Sequence, residues 1–129
     1  MSNTSYISLP VYQKSIVLRD LSNAIATYFS QDSNLFKLKR SASLRQHIAK
    51  SIFVDSRLIS KQIERAATTD SYEVRMKSAL YINAITRNII SYCNGLEHDG
   101  VKEKEYVHLL RRELKSFRTS FKLWRKSLQ

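Results

Sequence analysis

Apolar residues recur every three or four positions through long stretches of this chain, separated by brief polar breaks, and that period belongs to helices rather than strands. The first stretch opens at Leu9-Pro10, where proline suits a first helical turn because its missing N–H has no intrahelical partner to lose. Val11, Ile16, Val17, Leu21, Ile25, Tyr28 and Phe29 carry it to a break at Ser30-Gln31-Asp32-Ser33. A second helix is predicted from Leu35 or Leu38 to Ala67. Its apolar side is Leu44, Ile48, Ile52, Ile59, Ile63 and Ala66, interrupted by Asp55 and Ser56. The run from Ala67 to Ser71 is a turn. Asp70 or Ser71 is placed to cap the next helix, and Glu73 falls in its first turn, where negative charge favours the helix dipole.

The third helix carries Tyr72, Met76, Ala79, Leu80, Ile85, Ile89, Ile90 and Cys93. It is expected to stop at Asn94-Gly95, because glycine takes a left-handed cap without strain, and Asp99-Gly100 completes the loop. A fourth helix, from about Lys102 to Leu128, has the cleanest seam: Tyr106, Leu110, Leu114, Phe117, Phe121, Trp124 and Leu128. Helices of roughly 20–30 residues are about 30–45 Å long. Joined by short loops, they predict an all-α fold: an antiparallel up-down-up-down four-helix bundle, one domain over residues 9–129, after a polar, disordered N-terminus at 1–8.

Composition agrees with long elements. Sandwiches and barrels need a turn every ~8–12 residues, and two glycines and one proline in 129 residues cannot supply them. The lone Cys93 allows no internal disulfide. No apolar run nears the roughly 18 residues of a membrane span, and the start lacks the layout of a signal peptide. A cytoplasmic protein with no membrane partner is the expectation.

Charge changes the picture most. Lys and Arg number 22 against 11 Asp and Glu, a formal +11, beyond the magnitude of about 2–8 that solubility asks of a small domain. Such an excess points to a polyanion, nucleic acid first. The bases are also arranged. On the fourth helix Arg111, Lys115, Arg118, Lys122 and Arg125 repeat the spacing of the apolar seam, roughly 100° round from it, and Arg112 and Lys126 widen the row. Residues 111–126 hold seven bases and one acid, Glu113. On the second helix Lys39, Lys50, Arg57, Lys61 and Arg65 fall within roughly 80° of one another, opposite the isoleucines. Like charges at such spacing weaken an isolated helix by a few tenths of a kcal/mol per pair, whereas a face built only for solvation would alternate signs.

Lys50, Arg57, Lys61, Arg65, Arg111, Lys115, Arg118, Lys122 and Arg125 are therefore the candidate nucleic-acid contacts, acting on phosphates through a salt-dependent, sequence-independent attraction. No element suited to reading bases is visible, and Phe117, Phe121 and Trp124 lie on the seam, where core packing is their natural role. Enzymatic chemistry finds no footing. His47, His98 and His108 stand in different elements, Glu64, Glu73, Glu103 and Glu113 do not form the paired pattern of di-iron bundles, and two glycines cannot build a phosphate loop. No catalytic residue, cofactor, metal or small-molecule substrate is expected.

The opening Leu9-Pro10-Val11-Tyr12-Gln13-Lys14, the long basic second helix, Leu96-Glu97-His98-Asp99-Gly100 before Lys104-Glu105-Tyr106, and the closing Trp124-Arg125-Lys126-Ser127 resemble a family of bacterial four-helix-bundle proteins. That family includes the accessory variability determinant (Avd) of diversity-generating retroelements and proteins encoded in intervening sequences of 23S ribosomal RNA genes. The likeness runs over about residues 9–128 and is stronger to the retroelement branch. It implies a homopentameric, barrel-shaped assembly that binds RNA and DNA and associates with the retroelement reverse transcriptase. One departure stands out: the family often has glycine just before the final tryptophan, where this chain has Leu123. Alternatives are a protein of the ribosomal intervening-sequence type and a self-assembling scaffold whose charge meets an acidic protein surface.

Overall fold

In the structure, a computed structural model that describes residues 5–31 and 39–128, four helices follow one another: α1 (Pro10–Gln31), α2 (Lys39–Thr68), α3 (Tyr72–His98) and α4 (Lys104–Ser127). The described residues are all-helical apart from their turns. Of the expected break at Ser30-Gln31-Asp32-Ser33, Ser30 and Gln31 instead continue α1, while Asp32-Ser33 and the helix start at Leu35 or Leu38 lie outside the described residues. Pro10 is the first residue of α1, as its fixed φ suits. Ser71 caps α3, its hydroxyl accepting from the Val74 N–H at 3.3 Å.

Two helix ends correct the sequence expectation. Ser5–Ser8, expected to be disordered with the rest of 1–8, form a 3-10 turn. The ring of Tyr6 meets that of Tyr12 edge-on at 5.0 Å, and Leu9 N–H donates to the Tyr6 carbonyl, so aromatic packing holds what polarity alone would release. At the other site, α3 runs through Asn94-Gly95 to His98. It ends at Gly100, whose φ of +78° is the left-handed cap. Gly100 N–H donates to the Glu97 carbonyl and Val101 N–H to that of Leu96, and the buried Leu96 and Val101 side chains close the motif. Gly95 serves packing instead: a Cβ there would lie 3.2 Å from Ile48 Cδ1 on α2.

The helices form a ring. α1 packs on α2, α2 on α3, α3 on α4 and α4 on α1, with no close backbone approach across either diagonal. The α1–α2 and α2–α3 contacts are extensive, and α3–α4 is the thinnest of the four. The core is continuous, from Leu18 and Phe29 through Ile52, Ile59 and Ile63 to Ile82, Ile89, Leu110, Leu114 and Phe117. Small hydroxyls complete it. Ser15, Ser56, Ser60 and Thr86 are buried and each donates to a carbonyl one turn back in its own helix, whereas the buried Ser22 hydroxyl of α1 has no partner among the described residues. Ser56, read from sequence as an interruption, is thus a core residue. Asp55 beside it accepts from the Tyr92 hydroxyl of α3 at 2.9 Å.

Leu44, Tyr72 and Leu80, expected on the apolar faces, are exposed instead. Ser78, Ala79, Ile82, Ile85, Thr86, Ile89, Cys93 and Leu96 set the inward phase of α3, and Leu80 stands about 160° from Ile82 around the helix.

Candidate nucleic-acid interface

Both basic rows lie on well-formed helices, but the fold treats them differently. On α2, Lys50, Arg57, Lys61 and Arg65 are all exposed, and the Lys39 side chain lies outside what the structure describes. The Arg57 guanidinium sits over the Phe53 ring, 4.8 Å from its centroid, where the ring face favours a cation. Arg57 and Phe53 join Arg19, Asp20 and Asn23 around a pocket of about 310 Å³ between α1 and α2. Arg19 there is tied to Asp20 at 3.2 Å.

On α4 the row opens toward α3. Because α3 and α4 meet so thinly, a groove of about 390 Å³ is left between them, lined by Ile90, Arg111, Leu114, Lys115, Arg118, Thr119 and Lys122. Four of its seven lining residues are cations, and none is acidic. Lys115 and Lys122 are exposed, Arg111 and Arg118 half-buried. Leu114 is buried and Ile90 half-buried, so the floor is apolar and the rim cationic.

Arg111 is held in place by α3: its guanidinium donates to the Glu97 carboxylate and to Oδ1 of Asn94. Among the described residues, no carboxylate pairs with Lys115, Arg118, Lys122 or Arg125, nor with any of the four candidates on α2. Arg125 does not line the groove. It stands in the last turn of α4 with Lys126, where positive charge also meets the negative end of the helix dipole.

The structure therefore does not gather the nine candidates into one site. α2 and α4 face each other across the ring without backbone contact, and the α1–α2 and α3–α4 edges are opposite. Arg111, Lys115, Arg118 and Lys122 come together. Lys50, Arg57, Lys61 and Arg65 form a separate exposed row, of which Arg57 lines the α1–α2 pocket. Ile90 and Thr119 line the groove, and Asn94 and Glu97 hold its Arg111; the α3 members of that set were not legible from sequence, since nothing local in α3 signals what stands beside α4.

Cys93 is fully buried, and desolvation pushes its thiol up to about 11, so it is protonated at neutral pH. Burial, and next the hydrogen bond to Asp55, raise the Tyr92 hydroxyl above its ordinary value. Among the described residues no three His, Cys, Asp or Glu side chains lie close enough together to hold a metal ion. No described helix is long and apolar enough to cross a membrane. Compared with protein-family models, curated proteins and solved structures, the chain finds no match.

Proposed function

We propose that this chain is a non-catalytic nucleic-acid-binding protein that works as an accessory of a diversity-generating retroelement, gathering RNA or DNA on its basic faces and associating with the reverse transcriptase. The observation that carries the nucleic-acid part is the row Lys115, Arg118 and Lys122: three unpaired cations one turn apart along one groove, with no acid lining it. Unpaired like charges at this spacing cost helix stability, and a polyanion recovers it by exchanging condensed counterions for lysine and arginine. The retroelement role and the homopentamer rest on the family resemblance alone, and a protein of the ribosomal intervening-sequence type is the neighbouring alternative.

The bundle is read as up-down-up-down. Tyr28 near the end of α1 meets Glu103 and Tyr106 at the start of α4, the hydroxyl donating at 3.2 Å and the rings 4.9 Å apart. Arg45 in the early turns of α2 reaches Asp99 at the end of α3, with Nη2 donating to its carbonyl at 3.2 Å. Midway along, Tyr92 meets Asp55. These pairings suit helices that alternate in direction.

The decisive experiment reverses Lys115, Arg118 and Lys122 to Glu together. Nucleic-acid binding at low ionic strength is expected to vanish while the helical circular-dichroism spectrum stays intact. Retained affinity in that variant would remove α4 from the interface.

A self-associating scaffold is favoured by a different observation: Leu80 and Leu123 are 57% and 67% exposed, and Val17, Val54 and Tyr81 are exposed too. Mass by light scattering tests it. A monomer at all concentrations excludes the scaffold and the pentamer alike.

A further inference from the structure

We infer that the α3–α4 groove takes an unpaired nucleic-acid strand rather than a duplex, an inference that rests on the nucleic-acid reading of α4 above. The geometry of the groove carries it. Arg111, Lys115, Arg118 and Lys122 climb about 16–17 Å along α4, one cation per turn, matching the stepwise placement of phosphates along a single extended backbone. Beneath them lies an apolar floor of Ile90 and Leu114, with the Thr119 side chain at the edge. A duplex offers its surroundings a convex, uniformly charged surface with its bases stacked inside. It can touch the rim but leaves the floor empty. An unpaired strand is amphipathic: it can set its phosphates against the cations and lay a base or ribose on Ile90 and Leu114.

Size argues the same way. About 390 Å³ accommodates one nucleotide-sized group and not a double helix. Arg111 is the fixed end of the row. Tied to Glu97 and Asn94, it is held at the α3 side of the groove and offers its remaining donors in a set direction, whereas Lys115 and Lys122 are free to follow the strand. The groove contains no aromatic side chain, so the apolar contact is aliphatic and tolerant of base identity. On α2, by contrast, the pocket at Arg57 includes an acid, Asp20.

The test compares two variants that remove the same amount of charge. Thr119→Glu places a carboxylate between Lys115 and Lys122 in the groove, on an exposed helical position where it pairs with both and leaves the fold intact. Gln46→Glu does so on α2, which makes no backbone contact with α4. Each protein is titrated by fluorescence anisotropy with an oligouridylate of about 12 nucleotides and with an RNA duplex of the same length, at one fixed salt concentration. The expected result is that the strand binds more tightly than the duplex. Thr119→Glu then weakens the strand about tenfold and the duplex about twofold, while Gln46→Glu changes either by less than about twofold.

Equal losses in the two variants overturn the inference, as does a duplex bound as tightly as the strand. So does displacement of the strand by oligoglutamate at equal charge concentration, which would show an acidic polypeptide to be an equally good occupant. If duplex binds and Thr119→Glu leaves the strand untouched, the inference fails and the nucleic-acid function stands. If neither strand nor duplex binds at low salt, both fail.

Discussion

The basic rows of α2 and α4 are nearly interchangeable as sequence, and the fold makes them into different objects. Each repeats at three and four residues beside an apolar seam, and each is rich in unpaired lysine and arginine. On α2 the neighbouring helices pack closely on both sides, and Arg57 lines a recess shared with Arg19 and the acid Asp20. On α4 the contact with α3 is thin, and the same kind of row becomes the wall of a groove. Clefts lined by one sign of charge with low-dielectric walls focus field lines, and an acid among the cations, as at Asp20, weakens that focus. Helical period decides which azimuth is wet. The distance to the next helix decides what the wet row can hold.

The strongest way to break the comparison is to remove what keeps the α4 row in phase. Phe117 is fully buried and its ring stacks on Phe121 at 6.0 Å between centroids. Phe117→Ala is expected to cost about 3–5 kcal/mol in chemical denaturation, through lost burial and an unfilled cavity. Leu123→Ala on the outer face of the same helix, 67% exposed, should change stability by less than about 0.5 kcal/mol. Equal costs would mean that α4 is turned on its axis from the orientation described, and the groove with it.

Next in size is a direct contest between the rows. Reversing Lys115, Arg118 and Lys122 to Glu should reduce affinity for RNA by at least about 100-fold and flatten the slope of log affinity against log salt by roughly 2–3, since each lost phosphate contact removes about 0.7–0.9. Reversing Lys50, Lys61 and Arg65 to Glu makes the same change of net charge and should cost about tenfold or less. Matching losses would show that nucleic acid responds to total charge and not to the groove.

The rows and the four helices could be read from the sequence because both depend only on spacing within one element. Pro10 at the start of α1 and the Ser71 cap were legible for the same local reason. What could not be read depends on neighbours. Asn94-Gly95 looks like a helix stop, yet the helix continues through it, with the end of the Ile48 side chain of α2 packed 3.2 Å from where a Cβ would stand. Ser56 looks like a gap in a seam until its hydroxyl is seen to bond back to its own helix. Leu80 and Tyr72 fit an apolar period that the core does not use. The α3–α4 gap has no signature in either helix.

The two glycines sharpen the contrast between the close and the open side of α3. Gly100→Ala puts a side chain at φ +78° and should destabilise by about 1 kcal/mol, although nothing lies within 4 Å of the new Cβ. Gly95→Ala gains up to about 1 kcal/mol of helix propensity and loses part of it by displacing the flexible end of Ile48. Its net effect should stay within about 0.5 kcal/mol of zero. A loss of several kcal/mol at Gly95 would show that α2 and α3 are pressed together more rigidly than one methyl end implies.

The smallest effect separates the tether from the row. Arg111 is the one groove cation with an acid bound to it, and both side chains of that ion pair are about one-third exposed, 33% and 35%. Screening by solvent limits such a pair to about 0–1 kcal/mol, so Glu97→Gln should hardly move the denaturation midpoint. Its effect on binding has the opposite sign to every other substitution considered. The amide keeps an oxygen to accept from Arg111, one negative charge leaves the groove's edge, and the guanidinium faces the incoming phosphate without a competing carboxylate. Affinity for an unpaired strand should rise about two- to threefold at low salt, and the gain should fade as the Debye length falls below about 8 Å above physiological ionic strength. The duplex, which does not enter the groove, should gain less. A fall in strand affinity would mean that Glu97 serves chiefly to aim Arg111, so that orientation rather than net potential limits the first phosphate contact.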